Sequence, residues 1–359
     1  MQVPRFITRA TVLTNRLSGG PRGLLLSSSL EMTLRSRSWD RANTFVHGDF
    51  PPERLAAERD GSVSVCLPAR NEARTIGPIL EQLVPLREAG VVDQIVVVDR
   101  STDGTAEIAR RLGAEVHDQD ELMPELGPVL GKGDAMWRAL PVLDGDTICF
   151  LDADSERFGA HFACGVLGPL LCEPRISFVK GFYRRPFRVG EVTVPDGGGR
   201  VTELTARPLL NLFYPDLATV RQPLAGEIAA RRELLEQLPF ATGYGVDIGL
   251  LIDAYSLVGL DAIAQVDLDV RQNAHQPLRD LGPMAYAVLR AVAVRLEREG
   301  RLRGPLPAAF APAGDPHPTA FAPAGDPHPA AFTPAGDPPH PAIAEPAERP
   351  PLRSLRAAA

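Results

Sequence analysis

Several signatures that would fix a function at once are missing from this chain. No GxGxxG follows its first apolar strand-like run, and no GxSxG elbow occurs. Gly127-Pro-Val-Leu-Gly131-Lys132 is one residue short of a P-loop and lacks the Ser or Thr after the lysine. Nicotinamide dehydrogenases, α/β-hydrolases and P-loop NTPases therefore all lose their defining chemistry. Cysteine is scarce: Cys66, Cys149, Cys164 and Cys172 form no CxxC pair and sit among apolar neighbours. Buried free thiols, and a reducing cytoplasm, are expected in place of a disulfide framework. No apolar run approaches a membrane span, Leu24–Leu26 being the longest near the N-terminus. Cationic excess is also absent. The net charge of −7 argues against a general nucleic-acid or anionic-membrane binder.

What is present divides into three materials. Apolar residues at 44% and charged residues at 23% of 359 allow a sizeable core. Fifteen of the 35 prolines fall in Gly304–Ala359, where an eleven-residue unit recurs from Ala309, Ala320 and Ala331 (AFAPAGDPHPT, AFAPAGDPHPA, AFTPAGDPPHP). Proline every few residues forbids a sheet or helix, so residues 304–359 are expected to form a solvated, disordered tail. Residues 1–37 carry six arginines against one glutamate. They read as a disordered or transit-like extension, or as sequence ahead of a true start at Met32. The folded body is then 38–303.

Inside the body the hydrophobic pattern alternates. Ser62–Leu67, Gln94–Val98, Ala114–His117 and Thr147–Leu151 read as strands. Thr75–Glu88, Thr105–Leu112 and Asp134–Leu140 read as helices between them. Continuous apolar strands separated by helices predict an α/β fold with a doubly wound, mostly parallel sheet covered on both faces. Ligands bind such sheets beyond the carboxyl ends of the strands, where Pro68–Glu72, Asp99–Asp103 and Asp152–Asp154 cluster.

Four DxD pairs occur, at 118/120, 144/146, 152/154 and 267/269, so the spacing alone carries nothing. Asp152-Ala153-Asp154 is the pair that directly follows a buried-type strand, and two carboxylates there suit Mg²⁺ or Mn²⁺ bridging a diphosphate. Lys132, in Gly131-Lys132-Gly133, can neutralise a phosphate as a point charge; an ordinary exposed lysine is the plain alternative. Gly197-Gly198-Gly199-Arg200-Val201-Thr202 offers amides and a guanidinium for a phosphate or carboxylate; a glycine-rich hairpin is the competing reading.

Pro68-Ala69-Arg70-Asn71-Glu72, Asp99 with Ser101-Thr102-Asp103-Gly104-Thr105, and Asp152-Ala153-Asp154 together resemble the GT-A glycosyltransferases. Gly131–Trp137, Phe182–Pro186, Gly197–Leu204, Ala206–Leu210, Gln222–Glu227 and Gly243–Gly249 narrow the resemblance to the glucosyl-3-phosphoglycerate synthase family, over roughly Trp39 to Leu296. That resemblance implies a GT-A fold, with a Rossmann-like nucleotide-sugar half at about 60–155 and an acceptor half at about 156–303. It implies a retaining transfer of glucose from UDP-glucose to 3-phosphoglycerate, a divalent cation, a homodimer and no transmembrane anchor.

By the same resemblance Pro68, Ala69 and Glu72 would hold the uridine, Asp99 would join the nucleotide-sugar set, and Lys132 and Asp152 would close on the nucleotide. Asp154 would bind the metal. Gly199, Arg200, Val201 and Thr202 would hold the acceptor's phosphate and carboxylate, and Leu224 would offer its carbonyl near the reacting centre. Tyr244 and Asp247 would line the sugar pocket, where the family usually has glutamate in place of Asp247. The family's metal-binding histidine aligns with Asn273, and its following asparagine with His275. His275 is taken as the second metal ligand, with Asn273 as the alternative oxygen ligand or acceptor contact. Three rivals remain: a mannosyl-3-phosphoglycerate synthase, a polyprenyl-phosphate glycosyltransferase, and a non-catalytic nucleotide-sugar-binding protein.

Overall fold

The computed structural model describes residues 34–189, 192–194, 197–272, 278–302 and 347–358. The chain divides into two units, Met1–Ala42 and Asn43–Ala359. Of the first, residues 34–42 are described and helical; everything below concerns the second.

Its strands are β1 (Thr44–Val46), β2 (Val63–Ala69), β3 (Gln94–Asp99), β4 (Glu115–Asp118), β5 (Thr147–Phe150), β6 (Phe178–Arg184), β7 (Phe187–Val189), β8 (Val192–Val194), β9 (Ile228–Arg231), β10 (Phe240–Ala241), β11 (Ile263–Val270) and β12 (Glu348–Arg349). Eight of them form one sheet in the order β1-β11-β6-β9-β5-β2-β3-β4. All neighbours in it are parallel except at β9, which runs antiparallel to β5 and β6. The expected strands at β2 to β5 are all present, and so are the helices Ile76–Glu88, Thr105–Arg111 and Lys132–Ala139 between them. Their apolar runs are legible because both faces of the sheet are covered: Val63, Val65, Cys66 and Leu67 of β2 are fully buried. The four cysteines are free. Burial pushes the Cys66 and Cys149 thiols well above their ordinary range, Cys164 to about 12 and Cys172 to about 11, so none of them is a ready nucleophile. No described helix is long and apolar enough to cross a membrane.

The expected tail needs a correction. Residues 303–346, which contain the three repeats, lie outside the described residues, as do residues 1–33. Residues 347–358, however, are folded onto the domain. β12 pairs antiparallel with β10, matching Arg349 to Phe240 and Glu348 to Ala241. Leu352, in the helix Leu352–Ala358, is buried. The reason is local. This stretch lies beyond the proline-rich repeats, and it carries a strand-capable pair, an apolar anchor and arginines that find buried carboxylates.

The helix His161–Cys172 packs so closely on the turn that follows β1 that Gly168 faces the ring of buried Phe50, and a Cβ there would sit inside the ring's van der Waals surface. Gly168→Ala should therefore destabilise the domain by about 1–3 kcal/mol through overpacking. Urea unfolding of the variant against the wild-type chain measures this, with an unchanged m-value.

Candidate active site

The site begins where β2 and β3 end. After Ala69 the chain turns sharply, with Asn71 in the left-handed region at φ 61°, a conformation that asparagine tolerates better than most residues. That turn is laced to the one after β3. The Asn71 amide donates to Ser101 Oγ at 2.6 Å, the Glu72 amide to Thr105 Oγ1 at 2.9 Å and the Ala73 amide to Asp103 Oδ2 at 3.1 Å. Asp99 accepts the Ser101 hydroxyl at 2.5 Å. The Ser-Thr-Asp-Gly-Thr segment thus holds the Pro68–Glu72 loop in place.

Asp152, just past β5, is the centre of a charge network. Lys132 Nζ, at the start of the helix Lys132–Ala139, lies 2.7 Å from Asp152 Oδ1 and 3.4 Å from Asp247 Oδ2. Arg271, just past β11, reaches Asp152 Oδ2 at 2.8 Å and Glu227 Oε1 at 3.1 Å, and also binds Asp154. Tyr183 donates to Glu227 at 2.8 Å and accepts from Arg271 at 2.8 Å. Burial disfavours the charge on Asp152, yet Lys132 and Arg271 outweigh it and hold the carboxyl far below its ordinary range. Lys132 is likewise held above its ordinary range: burial opposes its charge, but Asp152 and Asp247 prevail. Burial dominates at Asp247 and Glu227, and both carboxyls are pushed up. Asp247 Oδ1 is buried with no hydrogen-bond partner, an acceptor that a ligand hydroxyl can satisfy.

The other wall comes from Gly197-Gly198-Gly199-Arg200. The Gly198 amide donates to the Arg185 carbonyl at 3.0 Å, and Gly198 lies too close to Arg185 to admit a Cβ. Gly199 turns with φ +72°, a backbone that favours glycine. The chain then enters the helical stretch that contains Thr202–Ala206. The Arg200 guanidinium stacks over Phe187, 5.1 Å from its centroid, which orients it.

These walls enclose a cavity of about 640 Å³. Pro68, Ala69, Glu72, Lys132, Asp152, Asp154, Gly199, Arg200, Val201, Thr202, Leu224, Tyr244 and Asp247 all line it. Asp99 is absent from the lining and turned to Ser101, so it shapes the loop from below. Asn273 and His275 lie outside the described residues. Sequence reasoning missed Arg271, Gln119, Thr242 and Met284, which also line the cavity, and the buried Glu227, Tyr183 and Lys180 beneath it. Arg271 follows the long strand β11, and that position was its one local signal. The remaining DxD pairs are structural: Asp146 accepts from Ser62, Asp118 from the Asp120 amide, and Asp269 pairs with Arg184.

The described residues hold no cluster of three or more His, Cys, Asp or Glu side chains able to bind a metal by themselves. The donor chemistry fits a hard cation nonetheless. The Glu72 carboxyl is raised first by burial and then by the nearby charges of Asp154, Asp103 and Asp152, so carboxylates gather around this loop. Asp154 pairs with Arg271 and keeps a side chain 45% exposed, a carboxylate with the hard oxygen donors that such an ion takes.

Two outcomes follow from this geometry. A Cβ at Gly226 would collide with the Asp152 carboxylate. Gly226→Ala should lower kcat/KM about a hundredfold, since displacements near 1 Å cost that much, with circular dichroism unchanged. Burial, opposed by Asp247, brings the Lys180 ammonium down from 10.5 to about 8. Its folded form therefore carries fewer protons than its unfolded form between those values, and this penalty on stability is lifted as pH rises through that window. Denaturant unfolding of wild type minus Lys180→Met should show that rise between pH 8 and 10.5.

Comparison with known proteins supplies the family. A family model described as "Glycosyl transferase family 2" matches residues 64–158. The glucosyl-3-phosphoglycerate synthase of Petrotoga mobilis is 44% identical over 252 residues, covering 69% of this chain and 78% of that protein. The crystal structure of mannosyl-3-phosphoglycerate synthase from Rubrobacter xylanophilus superposes with TM-score 0.75 at 46% identity, covering 89% of this chain and 98% of that one. The Mycobacterium tuberculosis glucosyl-3-phosphoglycerate synthase, crystallised with Mn²⁺, UDP-glucose and phosphoglyceric acid, gives TM-score 0.67 at 38% identity, covering 88% and 99%. With 44% of the aligned residues shared over 78% of a curated relative's length, a GT-A-like sheet and the motif residues gathered in one cavity, the chain belongs to the glucosyl-3-phosphoglycerate synthase family.

Proposed function

We propose that this chain transfers glucose from UDP-glucose to the 2-hydroxyl of 3-phosphoglycerate, with retention at the anomeric carbon, giving glucosyl-3-phosphoglycerate. The observation that carries the reading is that one cavity is lined both by Lys132, Asp152 and Asp154 and by Gly199, Arg200 and Thr202. Its lining thus combines two sets of groups suited to anions, one on residues 132–154 and one on residues 199–202. Related structures hold UDP-glucose with phosphoglyceric acid, or UDP with the glucosylated product, and support the pairing.

Each residue then has a task. Pro68, Ala69 and Glu72 cradle the nucleoside on a loop already fixed by Ser101, Asp103 and Thr105. Lys132 stays protonated between Asp152 and Asp247 and offers its charge to the departing diphosphate. Asp154, with Asp152, would hold Mg²⁺ or Mn²⁺, as found in complexes of the relatives. When bound, the cation supplies Lewis-acid neutralisation of the leaving group. The partnerless oxygen of Asp247 accepts a sugar hydroxyl. Arg200 and the Gly199–Thr202 backbone hold the acceptor's phosphate and carboxylate, which aims its 2-hydroxyl at the sugar from the face the diphosphate leaves. Leu224 lines the cavity beside the reacting centre. We read the working unit as a cytoplasmic homodimer, in keeping with the family resemblance.

The likeness to a mannosyl-3-phosphoglycerate synthase makes GDP-mannose the informative competing donor. Incubation with 3-phosphoglycerate and Mg²⁺ should give far more product from UDP-glucose than from GDP-mannose, read by mass. The reverse preference assigns the mannosyl reaction. Glycerate without the phosphate should react poorly. Arg200→Ala should raise the KM for 3-phosphoglycerate about tenfold or more, the loss of a charge-assisted contact; an unchanged KM removes Arg200 from the acceptor site.

A further inference from the structure

The folded C-terminal segment touches elements that build the cavity. The Thr242 amide and hydroxyl both donate to the Ala347 carbonyl, at 2.9 Å and 3.0 Å, while the Thr242 carbonyl accepts the Asp134 amide at 3.0 Å. Asp134 sits in the first turn of the helix that begins with Lys132, and its fully buried carboxylate receives Arg349 as a fork, Nε at 2.7 Å and Nη2 at 2.8 Å. The same carboxylate accepts the Leu130 amide at 2.9 Å and Arg138 Nε at 3.2 Å, so it shapes the Leu130-Gly131-Lys132 loop that lines the cavity. The indole N–H of Trp137, three residues on, is satisfied by the Pro350 carbonyl at 2.9 Å. Glu348 receives Arg295 at 2.8 Å and also Arg298. Both arginines lie on the helix Leu281–Arg298, whose Leu281, Met284 and Ala287 form another part of the lining.

We propose that residues 347–358 act as a clip that positions the donor-binding lysine, with Arg349 as the positioning residue. The clip holds the Lys132 loop, the Thr242–Tyr244 turn and the helix Leu281–Arg298 in one arrangement. Without the fork from Arg349, Asp134 is left with fewer donors in a buried site, and the loop that presents Lys132 loses one of its restraints. The fork from Arg349 reaches the Leu130-Gly131-Lys132 loop directly through Asp134, so the effect of Arg349 is directed at the donor.

The inference rests on the reading of UDP-glucose as donor, and the test separates the two. Full-length Arg349→Ala and Arg349→Lys are compared with wild type and with Arg353→Ala, an exposed arginine 3.6 Å from Glu233. The KM for each substrate, calorimetric binding of UDP-glucose with Mn²⁺, and thermal midpoints are recorded. Arg349→Ala should weaken donor binding and raise the donor KM about tenfold, the loss of one charge-assisted fork. The acceptor KM should move less than about twofold on that scale, Arg349→Lys should fall between, and Arg353→Ala should match wild type. Donor binding by Arg349→Ala equal to wild type overturns the clip alone, as does a parallel rise in both KM values. Should Arg349→Ala fail to fold, Arg349→Lys decides, and unchanged donor binding in it also overturns the clip. A wild-type chain that binds no UDP-glucose overturns the functional reading and the clip together.

Discussion

The ion pair between Lys132 and Asp152 is the contact on which the rest of the site depends. Two charges brought this far out of water would cost several kcal/mol each if left alone. The fold answers by adding Arg271 on the other oxygen of Asp152 and Asp247 on the other side of Lys132. Glu227 and Tyr183 then close the row beneath Arg271. The signs alternate, so each charge has an opposite neighbour, and Lys132 and Arg271 stay charged while Asp152 stays ionised.

This arrangement also explains why the sheet is built as it is. Asp152 follows β5, Glu227 precedes β9 and Arg271 follows β11, with Tyr183 in β6. β9 lies between β5 and β6 and runs antiparallel to both. Its amino end therefore lies beside the carboxyl ends of the parallel strands, which places Glu227 on the ligand side. An all-parallel sheet would have carried that carboxylate to the opposite edge. Gly226 beside it leaves the space that the Asp152 carboxylate occupies.

The C-terminal segment shows the same economy at the surface of the site. Asp134 is fully buried and serves two arginines from different parts of the chain, Arg138 one turn along and Arg349 far away in sequence. Burial opposes its charge, but the hydrogen bonds from Arg349, the Leu130 amide and Arg138 outweigh it, and its carboxyl stays below the ordinary range. A carboxylate so placed couples the presentation of Lys132 to a segment separated from the domain by the proline-rich repeats. The charge network in the cavity and the one behind the helix Lys132–Ala139 meet in that one helix.

Much of this was determined by the sequence alone. The apolar runs of β2, β3 and β5 dictate a covered parallel sheet, because every residue along them must be buried on one face or the other. Pro68–Glu72, Lys132, Asp152–Asp154 and Gly199–Thr202 are legible because each sits at a strand end or a glycine turn, features encoded within a few residues. What only the tertiary structure decided involves partners distant in the chain. Arg271 stands 119 positions from the Asp152 it neutralises, Glu227 looks like any acidic residue before a strand, and Asp99 turns inward to Ser101 instead of facing the cavity. The tail is the sharpest case. Its proline content describes the repeats, but Glu348, Arg349 and Leu352 acquire meaning only beside Arg295, Asp134 and the edge of β10. Local pattern sets which segments can be strands or helices; which buried charges face one another depends on long-range packing, and no short window of sequence contains both members of such a pair.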